Sequence, residues 1–128
     1  MNFVPPGEIR DTTSPLAMAQ LVARFFDGSL LSPQSGKTLR TWMEDTHTGM
    51  RRIRAGFPED WPAGDKTGTA IAEGMPSKYN DIAVMWPDSA HAFVVTAYYE
   101  ADGTYDEIRV HDEKVLEHVG KIARATVD

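Results

Sequence analysis

A chain of 128 residues with 25% charged and 41% hydrophobic side chains has the composition of one folded domain and can bury a core. Its 19 acidic residues outnumber 13 basic ones, a formal charge of −6, which excludes the electrostatic footprint of a nucleic-acid binder. The absence of cysteine leaves the redox compartment open, while no run approaches the roughly 18 apolar residues of a membrane span and the first residues lack the basic and apolar regions of an export signal.

Residues 1–14 are polar and rich in Pro and Gly, with no period, and predict an irregular loop. Ser14-Pro15 then supplies an N-cap and a first helical proline, and Gly28 a stop, so a helix is expected over 15–27. Leu16, Ala19, Leu21, Val22, Phe25 and Phe26 give it a broad apolar face, which implies packing against something large. The same capping chemistry at Ser32-Pro33 starts a second helix, expected to reach about Asp45 and to bury Leu39, Trp42 and Met43. A connector over 46–63 carries the basic residues Arg51, Arg52 and Arg54. Three strands are expected over about 64–72, 79–86 and 92–100, the middle one apolar on both faces and therefore central. The linker 72–78 is longer than a tight hairpin turn. From about Tyr105 the pattern becomes helical, with Val115, Val119, Ile122 and Thr126 on one stripe and Leu116 and Ala123 beside it, placed to cover one face of the sheet.

The stretch with chemistry in it is Gly64-Asp65-Lys66-Thr67-Gly68-Thr69. A lysine followed by Thr-Gly on a strand sets an ammonium and a hydroxyl beside a residue without a side chain. A carboxylate or carbonyl can approach the backbone there, with the Thr69 N–H available to an oxyanion. Other constellations carry less. His47, His91, His111 and His118 share no metal-ligand spacing and read as scattered surface histidines, so no metal or other cofactor is expected. Gly36-Lys37-Thr38 lacks the first glycine of a phosphate loop, since Leu31 stands there.

Around the Lys66 motif stand Asn2, Pro6 to Pro15, Thr41-Trp42-Met43-Glu44, Arg52-Ile53-Arg54-Ala55-Gly56, Pro58-Glu59-Asp60-Trp61 and Asn80 to Pro87. In this order they resemble the C-terminal half of the class A serine β-lactamases, whose signatures include K-T-G. The resemblance covers essentially the whole chain, 1–128. It implies an α+β fold, the α/β lobe of the β-lactamase and transpeptidase type. Residues 1–14 would be an Ω-loop remnant, 15–63 a helical part with two helices of the helical lobe, and 64–128 three antiparallel strands with a covering C-terminal helix.

By the same resemblance Lys66, Thr67 and Gly68 would hold a substrate carboxylate and Thr69 would lend its N–H to the oxyanion hole. Arg52 would send a guanidinium toward that carboxylate. Asn2 would touch the deacylating water, and Arg10 and Asp11 would be the Arg-Asp pair of the loop. Apart from the resemblance, Arg54 is expected to buttress structure by pairing with Asp65. Arg51 is expected to be merely solvated. No Ser stands three residues before a Lys, and Ser-Asp-Asn does not occur. The resemblance therefore implies a chain with the substrate-positioning strand but without the nucleophilic serine, its lysine or the general-base glutamate. Such a chain would be inactive alone and complete only with an N-terminal half. The alternatives are one chain of a split enzyme, or a non-catalytic module that binds a carboxylate or a protein. A β-lactam is the implied substrate and the periplasm or exterior the implied location.

Overall fold

The computed structural model describes Ile9 and residues 12–127; Asn2, Arg10 and Asp11 lie outside the described residues. Helices α1 (Pro15–Phe26) and α2 (Pro33–Glu44) come first, followed by a 3-10 turn (Ile53–Gly56). Strands β1 (Ala63–Ala70), β2 (Lys78–Met85) and β3 (Phe93–Glu100) follow, and α3 (Val110–Arg124) closes the order. Both Ser-Pro starts act as the sequence suggests. Ser14 Oγ accepts the Ala17 N–H at 3.2 Å and Ser32 Oγ the Ser35 N–H at 3.1 Å, each satisfying one orphan donor of the first turn.

The sheet is antiparallel with β2 in the middle. Its two faces are covered by different material. Val84, Trp86, Ile82 and Val94 meet Val22 and Met43 with half-buried Met18, Phe25, Phe26 and Leu39, so α1 and α2 form one layer. Phe26 stands edge-on to Trp86 at 5.4 Å between centroids, and Thr96 Oγ1 donates to the Pro15 carbonyl at 2.7 Å, tying the start of α1 to β3. On the other face Tyr79, Ala83 and Met85 pack with Ile53, Phe57, Ala101 and Leu116, so the 3-10 turn and α3 form the third layer.

Three sequence expectations need correction. Trp42 is 68% exposed, because α2 turns Met43 inward and Trp42 lies about 100° further round the helix. The stripe expected for α3 is out of phase, since the buried positions are Asp112, Glu113, Leu116 and Gly120 while Ile122 is exposed. The cause is backbone contact: a Cβ at Gly120 would lie 2.0 Å from the Ile53 carbonyl oxygen, and one at Gly56 2.5 Å from the Glu117 oxygen. Two glycines let α3 sit directly on the 3-10 turn, and that contact sets the helix's rotation. Finally, α3 begins at Val110 rather than near Tyr105, because residues 101–109 form a tethered loop.

That loop also holds the 72–78 linker. The Ser77 N–H donates to Gly103 O, the Tyr105 N–H to Ser77 Oγ, and Thr104 Oγ1 to Met75 O at 2.7 Å. Arg109 forks onto Asp112 through Nε and Nη2, at 2.7 and 2.8 Å, while the Tyr99 hydroxyl donates to the same carboxylate at 3.1 Å. The Arg109 hydrogen bonds hold the buried Asp112 carboxyl below the usual range despite burial.

A methyl forced into a backbone contact has nowhere to go, so Gly120→Ala is expected to lose about 1–3 kcal/mol of stability in urea unfolding. Ile122→Ala on the exposed side of the same helix should change it by no more than about 0.5 kcal/mol.

Candidate functional site

The Lys66 motif fills most of β1, an edge strand in the described sheet, with Lys66 to Gly68 in mid-strand. The alternation of a strand splits it across two faces. Lys66 and Gly68 share a face with their register partners Ile82 and Asn80, whereas Asp65, Thr67 and Thr69 share the other with Ala83, Asp81 and Tyr79. Lys66 is exposed and its ammonium donates to the Thr67 carbonyl at 2.7 Å. Gly68 is exposed too, and among the described residues the only atom near a Cβ placed there is Asn80 Cβ at 3.7 Å, so the backbone lies open to them at this point. Thr67 Oγ1 donates to Thr48 Oγ1 at 3.0 Å.

Behind the strand the chemistry changes from open to buried. Arg52 is 1% exposed and its guanidinium makes three contacts: Thr69 Oγ1 at 2.7 Å, Asn80 O at 3.3 Å and Glu113 Oε1 at 3.4 Å. It also sits over the Tyr79 ring, 5.4 Å from the centroid. Arg52 is thus placed beneath the motif and reaches it through Thr69. Arg51 is not simply solvated as expected: its exposed side chain pairs with Glu113 Oε2 at 2.9 Å. Arg54 donates to Asp65 Oδ1 at 2.9 Å and to the carbonyls of Thr46 and Glu44, closing the connector onto β1.

Asp81, also fully buried, accepts the Ile53 N–H at 3.0 Å and so caps the 3-10 turn from below. Burial, and after it the Asp65 charge, push its carboxyl up to about 7. Sequence reading missed Thr48, Asp81 and Glu113. Glu113 stands 61 residues from Arg52, and only the packing of α3 on the turn brings them together. For Asp81 a signal existed, an acidic residue in a strand apolar on both faces.

Among the described residues no group of three or more His, Asp or Glu is placed to hold a metal ion, and no helix is long and apolar enough to cross a membrane. A cavity of about 820 Å³ lies between α1, α2 and the β2–β3 loop, lined by Phe26, Arg40 and Trp86 among others. None of the motif residues lines it.

The family model of the beta-lactamase enzyme family matches residues 2–128. The chain belongs to the beta-lactamase family. It is 35% identical to an imipenem-hydrolyzing beta-lactamase of Enterobacter cloacae over 123 residues, covering 96% of this chain and 40% of that protein. With a beta-lactamase of Mycobacterium tuberculosis it shares 43% identity over 107 residues, 83% of this chain and 34% of the relative. Among solved structures, a beta lactamase from Xanthomonas campestris superposes with a TM-score of 0.80 at 40% identity, covering 99% of this chain and 45% of the other. An ancestral class A beta-lactamase gives a TM-score of 0.77 at 38% identity, over 94% of this chain and 44% of its own. The fold is therefore the α+β fold of class A enzymes, and the chain spans less than half the length of these relatives.

Removing Arg52 would leave the buried Glu113 carboxylate with only the exposed Arg51 beside it. Arg52→Met is therefore expected to cost about 3–5 kcal/mol in chemical unfolding, whereas Arg51→Ala should cost less than about 1 kcal/mol.

Proposed function

We propose that this chain provides the substrate-positioning strand of a β-lactam hydrolase. The observation that carries the reading is the openness of Lys66 and Gly68 on an edge strand whose other face is anchored by buried charge. In the reaction the amide bond of a strained four-membered ring is cleaved and water is added across it. The Lys66 ammonium and the Thr67 hydroxyl bind the ring's neighbouring carboxylate, and Gly68 lets the substrate lie against the backbone. The Thr69 N–H donates to the oxyanion that develops as the carbonyl is attacked. Arg52 acts through Thr69, fixing the hydroxyl and adding positive potential behind the carboxylate. The relatives named above support the substrate class, one of them being named for imipenem hydrolysis.

The covalent step falls to a nucleophile outside this motif, because no serine in the chain has a lysine three residues on. In this reading it comes from the part of the relatives' length that the chain does not span, an N-terminal complementing half. The reading also places the working protein in the periplasm or outside the cell, where β-lactams are met.

Mixed with or joined to the N-terminal portion of a class A enzyme, the chain is expected to support turnover of a chromogenic cephalosporin. The chain alone should stay at background, since loss of a nucleophile costs on the order of 10⁶ in turnover. Lys66→Ala in the complemented protein should lower kcat/KM by about 10²–10³ without weakening assembly; unchanged activity in that variant would refute the assignment.

A further inference from the structure

The register sets Asp65 opposite Ala83 and Thr67 opposite Asp81, so Asp65 and Asp81 are diagonal neighbours on one face of the β1–β2 pair. Diagonal Cα atoms lie roughly 7–8 Å apart, a gap two carboxyl side chains can close. Both residues are fully buried. Each uses one oxygen well, Asp65 Oδ1 on Arg54 and Asp81 Oδ2 on the Ile53 N–H. The other oxygen of each, Asp65 Oδ2 and Asp81 Oδ1, has no hydrogen-bond partner among the described residues. Gly49 closes tightly over the pair, since a Cβ there would lie 2.1 Å from Asp65 Oδ2.

Two carboxylates can only accept, and two acceptors cannot satisfy each other; one proton between them turns one into a donor. We propose that Asp81 is a carboxylic acid in the folded chain and donates through Oδ1 to Asp65 Oδ2, so that a single proton joins β2 to β1 behind the Lys66 motif. The charge is left beside Arg54, where it is matched. Because Asp81 also caps the turn that carries Arg52 and Arg54, the proton locks that turn to the sheet. Ionising Asp81 puts a second negative charge in the same dry space and loosens the lock, which makes the site's support sensitive to alkaline conditions.

Among the described residues the neighbouring charges do not supply another donor. Arg54 is committed to Asp65 and two carbonyls, and Arg52 to Thr69, Asn80 and Glu113 of α3. From α2, Glu44 turns its side chain to Arg40. β3 offers Val95, Ala97 and Tyr99 on this face, the tyrosine hydroxyl being held by Asp112. Burial first and the Asp65 charge second raise the Asp81 carboxyl from 3.8 to about 7, against the opposing Ile53 N–H, the Arg52 charge and the Ile82 N–H.

Between the ordinary carboxyl range and about 7 the folded chain holds a proton that the unfolded chain has lost, so this contribution to stability falls as pH rises and is gone above about 7. Asp81→Asn keeps an acceptor for Ile53 and a donor for Asp65 but cannot titrate. The folding constant of the parent relative to Asp81→Asn is therefore expected to fall by about tenfold per pH unit between pH 4.5 and 6.5 and to level off above about pH 7. A ratio independent of pH overturns the proposal. The carbon-13 titration of the Asp81 carboxyl in the intact parent chain reads the same proton without a variant. A midpoint near 7 supports the lock, and one near 4 refutes it. Asp65→Asn separates a shared proton from burial alone: the Asp81 midpoint should drop when the Asp65 charge is removed, and an unchanged midpoint overturns the pairing.

Discussion

A guanidinium taken out of water must be answered on every side, and Arg52 is answered by three other parts of the chain. Its own 3-10 turn presents it, β1 meets it at Thr69, β2 at the Asn80 carbonyl and α3 at Glu113. An ion pair buried to this degree is weak evidence of net stability, since desolvation offsets much of the attraction. Its strength lies in discrimination. Any arrangement that shifts α3 along the turn, or slides β1 against β2, leaves a buried charge unmatched. The α3 rotation, the β1 register and the position of Thr69 are therefore set together.

The same layer explains why an open strand can be a rigid one. Lys66 and Gly68 face outward with little around them, the condition for a ligand to approach. Edge strands free on one side tend to slip or aggregate. Here the residues on either side of them point inward onto fixed partners, Asp65 onto Arg54 and Thr69 onto Arg52, while Thr67 between them meets the exposed Thr48 hydroxyl. Alternation along one strand thus sets the anchors Asp65 and Thr69 next in sequence to Lys66 and Gly68, which lie open.

What could be read from the sequence was local. The two Ser-Pro caps depend on atoms within three residues of each other, and the middle strand declares itself by apolar side chains on both faces. The Lys66 motif drew notice because its order with the other motifs resembles a known family, and the Arg54–Asp65 pair was expected as a structural buttress. The phase of α3 was not legible, because hydrophobicity pointed to Val115, Val119 and Ile122 while the contact that decides rotation is made by Gly56 and Gly120, which have no side chain to announce it. Trp42 failed for a related reason: a large apolar residue beside a buried one was assigned the same side, though one position on a helix is a third of a turn.

The polar residues missed have a common character. Glu113 and Asp81 are acidic residues on segments otherwise read for their apolar pattern, and both are buried because a partner from a distant segment reaches them. Burial of a carboxyl is costly without such a partner, so its presence in an apolar strand is already an argument that something reaches it. In β2 Asp81 meets the Ile53 and Ile82 N–H groups and, beside them, the carboxyl of Asp65. A site whose acceptors outnumber its donors is short of a proton, and the simplest source is the solvent from which the chain folds.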